Sequence, residues 1–262
     1  DSVYPNALVD GIMILDETAH EGQQIAEFLG LDDVVLDIKV LANRPDCQSV
    51  MGLAKELAVA LGREFKAKKY TIDAVKANLP LSVEVCTDAC PLYYAGVISD
   101  CQIAPSREVI KRRLNAIGIK PKNAAVDLTN YILWETGQPI HAFDYDKIAG
   151  QKIIIRKAKE GETLVGFDDK EYALTSDMVV VADCDKPIGI AGVMGGKEFS
   201  ISDTTQNIVI ESAIYDRVSI RRTSRALGLR TDASARFERG VASVLAGIGM
   251  ERALELACEC GL

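Results

Sequence analysis

Apolar residues in this chain recur at helical spacing in some stretches and as short strand-like runs in others. The two kinds of segment do not alternate as regular βαβ units, which points to an α+β fold rather than a doubly wound sheet. After Asn43-Arg44-Pro45-Asp46, residues Val50, Leu53, Ala54, Leu57 and Leu61 form an amphipathic helical stripe, and Gly62 stands where a left-handed cap belongs. Pro105-Ser106 opens a second helix running to about Ile117, with Val109, Ile110, Leu114 and Ile117 on one face and Gly118 as its stop. A third spans Ala124 to Thr136 and closes at Gly137. Strand patterns cover Val34 to Val40, Leu81 to Val85, Tyr94 to Ser99, Ile153 to Ile155, Met178 to Ala182 and Ile208 to Ile210. Thr163 to Leu174 reads as a hairpin turning at Asp168-Asp169, and Lys66 to Ala77 as a linker.

Length and composition narrow the function classes. A chain of 262 residues is long enough for one large or two modest domains. Its apolar segments are short and broken by charge, far from the roughly 20 residues of a membrane span. No signal peptide is visible; Asp1 begins mid-pattern and the last helix is still in progress at Cys260, as in a piece of something longer. Seven cysteines and two histidines lack the paired spacing of a structural zinc site, so the reading is reduced core thiols, no metal and a cytoplasmic protein. A net charge of −8 argues against a general nucleic-acid binder. Yet Asp216 to Gly240 holds seven arginines against three acids, a basic patch that either attracts phosphates or forms a salt-bridged helix face.

Four segments carry candidate chemistry, each with a plainer alternative. His141, in a loop after Pro139, is able to bond a water near neutral pH, or is a structural histidine satisfied by backbone. The run Gly192-Val193-Met194-Gly195-Gly196 lets backbone approach a ligand, or is a tight turn; it lacks the lysine of a phosphate loop. Glu211 follows an apolar strand and shares a face with Val209, so an inward carboxylate there needs a partner, for which a ligand's phenolic hydroxyl would serve. The alternative is a strand-end glutamate in solvent or paired with an arginine. In Leu229 to Ser234, Thr231 is placed to hold a water and Ala233 to shape a pocket wall, or the whole is a polar loop. Nucleophile elbows, catalytic-thiol settings and metalloprotease helices are absent from the sequence. Residue chemistry alone reaches a pocket but no reaction.

Taken in order, the segments Asn43 to Ala54, Asn123 to Asp144, Ala191 to Gly196 and Arg221 to Gly240 resemble the bacterial phenylalanyl-tRNA synthetase beta subunits over nearly the whole chain. The resemblance implies three parts. Residues 1–69 would be the end of an N-terminal region with a small helical, DNA-binding-like module. Residues 70–241 would be a tRNA-editing domain of mixed sheets and helices, and residues 242–262 the start of a further connection. It also implies an aminoacyl-ester hydrolase that removes tyrosine wrongly attached to tRNA(Phe). By resemblance the site comprises Lys120, His141, Gly195, Glu211, Thr231 and Ala233. Glu211 would recognise the tyrosine hydroxyl, Gly195 and Ala233 would leave room for the ring, and His141 and Thr231 would orient the attacking water. Lys120 stands where the family often has arginine, exchanging a bidentate contact for a single-point one. Arg221 and Arg222 would meet tRNA. The implied partners are the alpha subunit, in an alpha2-beta2 heterotetramer, and tRNA(Phe). ATP and Mg²⁺ would serve the full enzyme, with no cofactor in this segment. The rival readings are a non-catalytic scaffold binding tRNA and the alpha subunit, and a free-standing deacylase.

Overall fold

The computed structural model describes residues 14–15, 17–70 and 79–262. The readings of Asp1 and of 71–77 as linker lie outside the described residues, and Lys66–Tyr70 has no regular structure. The described chain begins with α1 (Ile25–Phe28) and α2 (Val50–Ala60), followed by strands β1 (Ser82–Val85) and β2 (Leu92–Ile98). Next come α3 (Glu108–Ala116), α4 (Ala124–Thr136) and β3 (Ile140–Asp144). A run of strands follows: β4 (Lys152–Lys157), β5 (Thr163–Val165), β6 (Glu171–Ala173), β7 (Val179–Ala182), β8 (Pro187–Ile190), β9 (Met194–Gly195) and β10 (Ile208–Ile214). Helices α5 (Arg217–Ala226), α6 (Asp232–Phe237) and α7 (Val244–Cys260) complete it. The fold is α+β.

Three strands in the order β2-β10-β3, all antiparallel, form the central sheet. Every residue of β10 is buried, because both its faces are covered. On one face Ile208 and Ile210 join Leu114 of α3, Leu128 and Ile132 of α4, and Ala253 and Leu256 of α7 in one core. On the other, Val209 and Ala213 join Phe143 and the second sheet, ordered β1-β4-β7-β8-β9. In that sheet β1 and β4 run parallel and the remaining pairs antiparallel. The layers are therefore helices, three-stranded sheet and five-stranded sheet, with the β5-β6 hairpin beside β8.

Local signals explain the helix ends. Asn123 caps α4 by accepting from the Val126 N–H at 3.0 Å, and Ser49 caps α2 through the Gly52 N–H at 3.0 Å. The stops at Gly62, Gly118 and Gly137 all take left-handed backbone, with φ of 60°, 78° and 85°. Buried Arg252 of α7 bridges to Glu135 of α4 at 2.8 Å and to Glu255 on its own helix at 2.7 Å, tying two helices of the core together.

Several expectations need correction. Val34 to Val40 is not a strand: the segment is irregular, with Val34 78% and Leu36 69% exposed. Alternation alone cannot make a strand where no neighbouring edge completes its hydrogen bonds. The stripe of α2 is largely solvent-facing, with Val50, Leu57 and Leu61 exposed; the helix is held at its start, where Gly52 touches the Asp46 carbonyl. Helix α3 begins at Glu108 because Ser106 turns aside to donate to Asp127. His141 lies in β3 rather than a loop, and Glu211 sits mid-strand in β10 rather than after a strand. Core thiols describe Cys47, Cys90 and Cys101, whereas Cys86, Cys184 and Cys258 are exposed.

Candidate active site

The central sheet opens along β3 into a cleft of about 520 Å³, bounded by α4, the β8–β9 turn and the start of α6. His141, Gly195, Glu211, Thr231 and Ala233 all line it. The residues foreseen for one site are thus brought together from 141 to 233 in the chain. Lys120 is the exception. It is exposed and does not line the cleft, while Lys122 does. The connection into α4 is pinned at Lys122, whose backbone N–H donates to Asp127 at 2.8 Å, and the chain enters the cleft wall only from there.

Strand register fixes the two titratable groups. Glu211 stands directly opposite His141 of β3 and Ala95 of β2, so its side chain shares a face with both. The carboxylate is buried and accepts one phenolic hydroxyl on each oxygen: Tyr93 on Oε2 at 2.9 Å and Tyr215 on Oε1 at 2.8 Å. The partner that a buried Glu211 requires is therefore supplied by the chain itself. Among the described residues no ion pair reaches it. Burial raises the Glu211 carboxyl from its ordinary 4.5 to about 7, with the two phenols pulling it back down. Burial, with the Glu211 carboxylate adding to it, pushes the Cys90 thiol up to about 12.

His141 is held by packing. Its ring lies edge-on to Phe143 at 4.4 Å and tilted against Phe167 at 5.8 Å. Nε2 is buried without a partner among the described residues, next to Gly195, where an added Cβ would come within 2.4 Å of it. Burial lowers the imidazole from 6.5 to about 4, so it is neutral at pH 7 and accepts a hydrogen bond rather than carrying charge.

Thr231 caps α6. Its hydroxyl donates to the Val193 carbonyl at 2.9 Å and accepts from the Ser234 N–H at 3.1 Å. This clasp joins α6 to the glycine-rich turn, and the one hydroxyl proton is committed. Toward a ligand Thr231 can act only as an acceptor. Within that turn Gly192 takes φ of 65° and packs against Ile220, Phe237 and Tyr215, leaving no room for a side chain.

Arg221 and Arg222 do not enter the cleft; both are exposed on α5. With Arg217, Arg225 and Arg230 they make a basic surface that has no ion pair among the described residues, unlike Arg236, which pairs with Asp232 and lies over the Trp134 ring. Within the patch the salt-bridged reading describes Arg236, whereas these five arginines face solvent. Ligand-type side chains cluster elsewhere only at Asp46, Cys47 and Glu56 among the described residues, and Arg44 already pairs with both carboxylates.

The B3/4 domain family matches residues 89–261, two thirds of the chain and all the cleft residues discussed above. The phenylalanine–tRNA ligase beta subunit of Carboxydothermus hydrogenoformans is 44% identical over 232 residues, covering 88% of this chain and 29% of that protein. The chain belongs to the phenylalanine–tRNA ligase beta-subunit family. The beta subunits of Moorella thermoacetica and Geobacillus kaustophilus are 43% and 40% identical, over 95% and 98% of the chain and 32% of each relative. The chain spans about a third of the length of the curated relatives it matches. A crystal structure of an N-terminal fragment of the phenylalanyl-tRNA synthetase beta-subunit from Pyrococcus horikoshii is similar over 71% of this chain and 58% of that one, at a TM-score of 0.41 and 18% identity.

The sequence does not point to Tyr93, Tyr215, Phe167 or Lys122 at this cleft. A signal for one of them existed: Tyr215 stands four residues beyond Glu211, an even separation that keeps both on one face of an extended strand.

Proposed function

We propose that this chain is the editing portion of a bacterial phenylalanine–tRNA ligase beta subunit and hydrolyses the ester linking tyrosine to tRNA(Phe). The editing domain is taken as residues 70–241, with α7 packed onto it. The observation that carries the reading is Glu211: a buried carboxylate lining the cleft, already bonded to two phenols, opposite a neutral histidine. Such a group selects a third phenol and leaves phenylalanine without a matching contact.

In this reading the tyrosyl ring enters the cleft with its hydroxyl toward Glu211. Gly195, without a side chain, keeps His141 in place, and Ala233 leaves the wall low. His141 and Thr231 each accept a hydrogen bond from a water, orienting its oxygen toward the ester carbonyl. Attack forms the new carbon–oxygen bond. The carbon–oxygen bond to the terminal ribose then breaks, and the departing ribose oxygen takes up the proton that the attacking water gives up, relayed by the neighbouring ribose hydroxyl. Exposed arginines on α5, Arg221 and Arg222 among them, hold the tRNA backbone nearby.

The whole ligase would be a cytoplasmic alpha2-beta2 assembly that aminoacylates tRNA(Phe) with ATP and Mg²⁺ at the alpha subunit; this segment takes no part in activation. Lys120, outside the cleft, would not grip the tRNA end, which favours Lys122 for that role. In the complete ligase carrying this segment, tyrosine should be released from Tyr-tRNA(Phe) while Phe-tRNA(Phe) is spared. Stability of both esters would leave the segment a tRNA- and alpha-subunit-binding scaffold.

A further inference from the structure

We infer that Tyr93 and Tyr215 are positioning residues for hydroxyl selection: by occupying one oxygen each of Glu211, they fix the carboxylate so that a remaining lone pair faces the cleft. This rests on the cleft being a tyrosyl-ester site.

Three observations support it. First, the two phenols approach from different elements. Tyr93 comes from β2, where it pairs with Ala213 and reaches Glu211 diagonally. Tyr215 comes from just beyond the end of β10. A carboxylate gripped on both oxygens cannot rotate without breaking a buried hydrogen bond. Second, Tyr215 is itself locked. Its ring is edge-on to Phe237 at 5.3 Å, and both rings pack against the turn at Gly192. Phe237 ends α6, the helix that Thr231 begins, so the phenol on Glu211 and the water-orienting residue share one rigid support. Third, no cation among the described residues pairs with Glu211, so the phenolic donors are its only protein partners that favour the charged form. A carboxylate has roughly four acceptor positions, and two are taken here.

The groups facing Glu211 are few: Tyr93 on β2 and Cys90 before it, His141 on β3, and Tyr215 beyond its own strand. Burial holds both tyrosines well above their ordinary range, Cys90 near 12 and His141 near 4, so near neutrality only Glu211 titrates. Removing a phenol should raise its pKa further.

The test uses the complete ligase carrying Tyr93→Phe, Tyr215→Phe or Glu211→Gln, and each tyrosine change combined with Glu211→Gln. Release of tyrosine and of phenylalanine from the respective charged tRNA(Phe) is followed across pH. Each single tyrosine variant should lose about tenfold in tyrosine-over-phenylalanine selectivity, mostly through KM for the tyrosyl ester. The lower pH limb of selectivity should move upward. In the Glu211→Gln background neither tyrosine change should have a further effect, because both act through Glu211. Selectivity within about twofold of the parent, an unmoved pH limb, or an equal loss in the Glu211→Gln background would each overturn the inference while leaving editing intact. A parent enzyme that releases no tyrosine overturns the underlying reading instead, and the inference with it. The two single variants approach Glu211 from separate elements, so misfolding of one, seen as a lowered melting temperature, leaves the other decisive.

Discussion

Gly195 and His141 are packed so closely that a Cβ on the glycine would stand 2.4 Å from the imidazole Nε2 and 2.9 Å from the Phe167 ring. The glycine is therefore required by the position of the histidine, independently of backbone dihedrals. Gly195→Ala should push the imidazole off its place opposite Glu211. A displacement of this kind costs on the order of 100-fold in hydrolysis of Tyr-tRNA(Phe). The circular dichroism spectrum should remain that of the parent. Hydrolysis within a few-fold of the parent would show that His141 has no fixed role.

Burial moves Glu211 and His141 in opposite senses, and the two stability slopes should oppose each other. The folded Glu211 holds its proton up to about pH 7, whereas unfolded it ionises near 4.5, so its contribution falls as pH rises through that window. His141 takes a proton near pH 6.5 when unfolded and only near 4 when folded, so its contribution rises from pH 4 to 6.5. Urea unfolding of the parent and of Glu211→Gln should give a stability difference that declines, for the parent, between pH 4.5 and 7. Against His141→Asn the difference should grow between pH 4 and 6.5. A difference independent of pH in either pair would contradict the assigned protonation states.

Lys122 lines the cleft and Lys120 does not, which separates two residues that look alike in sequence. Lys122→Ala should raise KM for Tyr-tRNA(Phe) several-fold. Lys120→Ala should change it by less than about twofold, as for a solvated surface lysine. The reverse order would restore Lys120 to the site.

Arg221 and Arg222 are exposed on α5 and lack ion pairs among the described residues. Replacing both by glutamine should weaken tRNA binding and reduce the slope of log affinity against log salt by about two, roughly one for each phosphate no longer neutralised. An unchanged slope would mean that α5 does not face the nucleic acid.

What could be read from the sequence divides along physical lines. Helices with local signals, such as α4 between Asn123 and Gly137, carry their own boundaries. The hairpin at Asp168-Asp169 does too, with Asp169 in left-handed backbone at φ 64°. Strand β3 was illegible because its five residues directly follow the Gly137 stop and Pro139, which read locally as a loop, and Val34 to Val40 misled because alternation carries no information about a partner edge. In the site, resemblance supplied His141, Gly195, Glu211, Thr231 and Ala233, and the fold brings these five to one cleft. Their constraints were hidden: the commitment of the Thr231 hydroxyl to Val193 and the two phenols on Glu211 arise only from tertiary contacts.

The most direct test of the central claim is the rate of tyrosine release from Tyr-tRNA(Phe), beside that of phenylalanine from Phe-tRNA(Phe), in the complete ligase with and without Glu211→Ala. The parent should release tyrosine and spare phenylalanine. Loss of the carboxylate should remove most of that discrimination, a change on the order of 10–100-fold in selectivity. Tyrosine release and selectivity unchanged by Glu211→Ala would contradict the account.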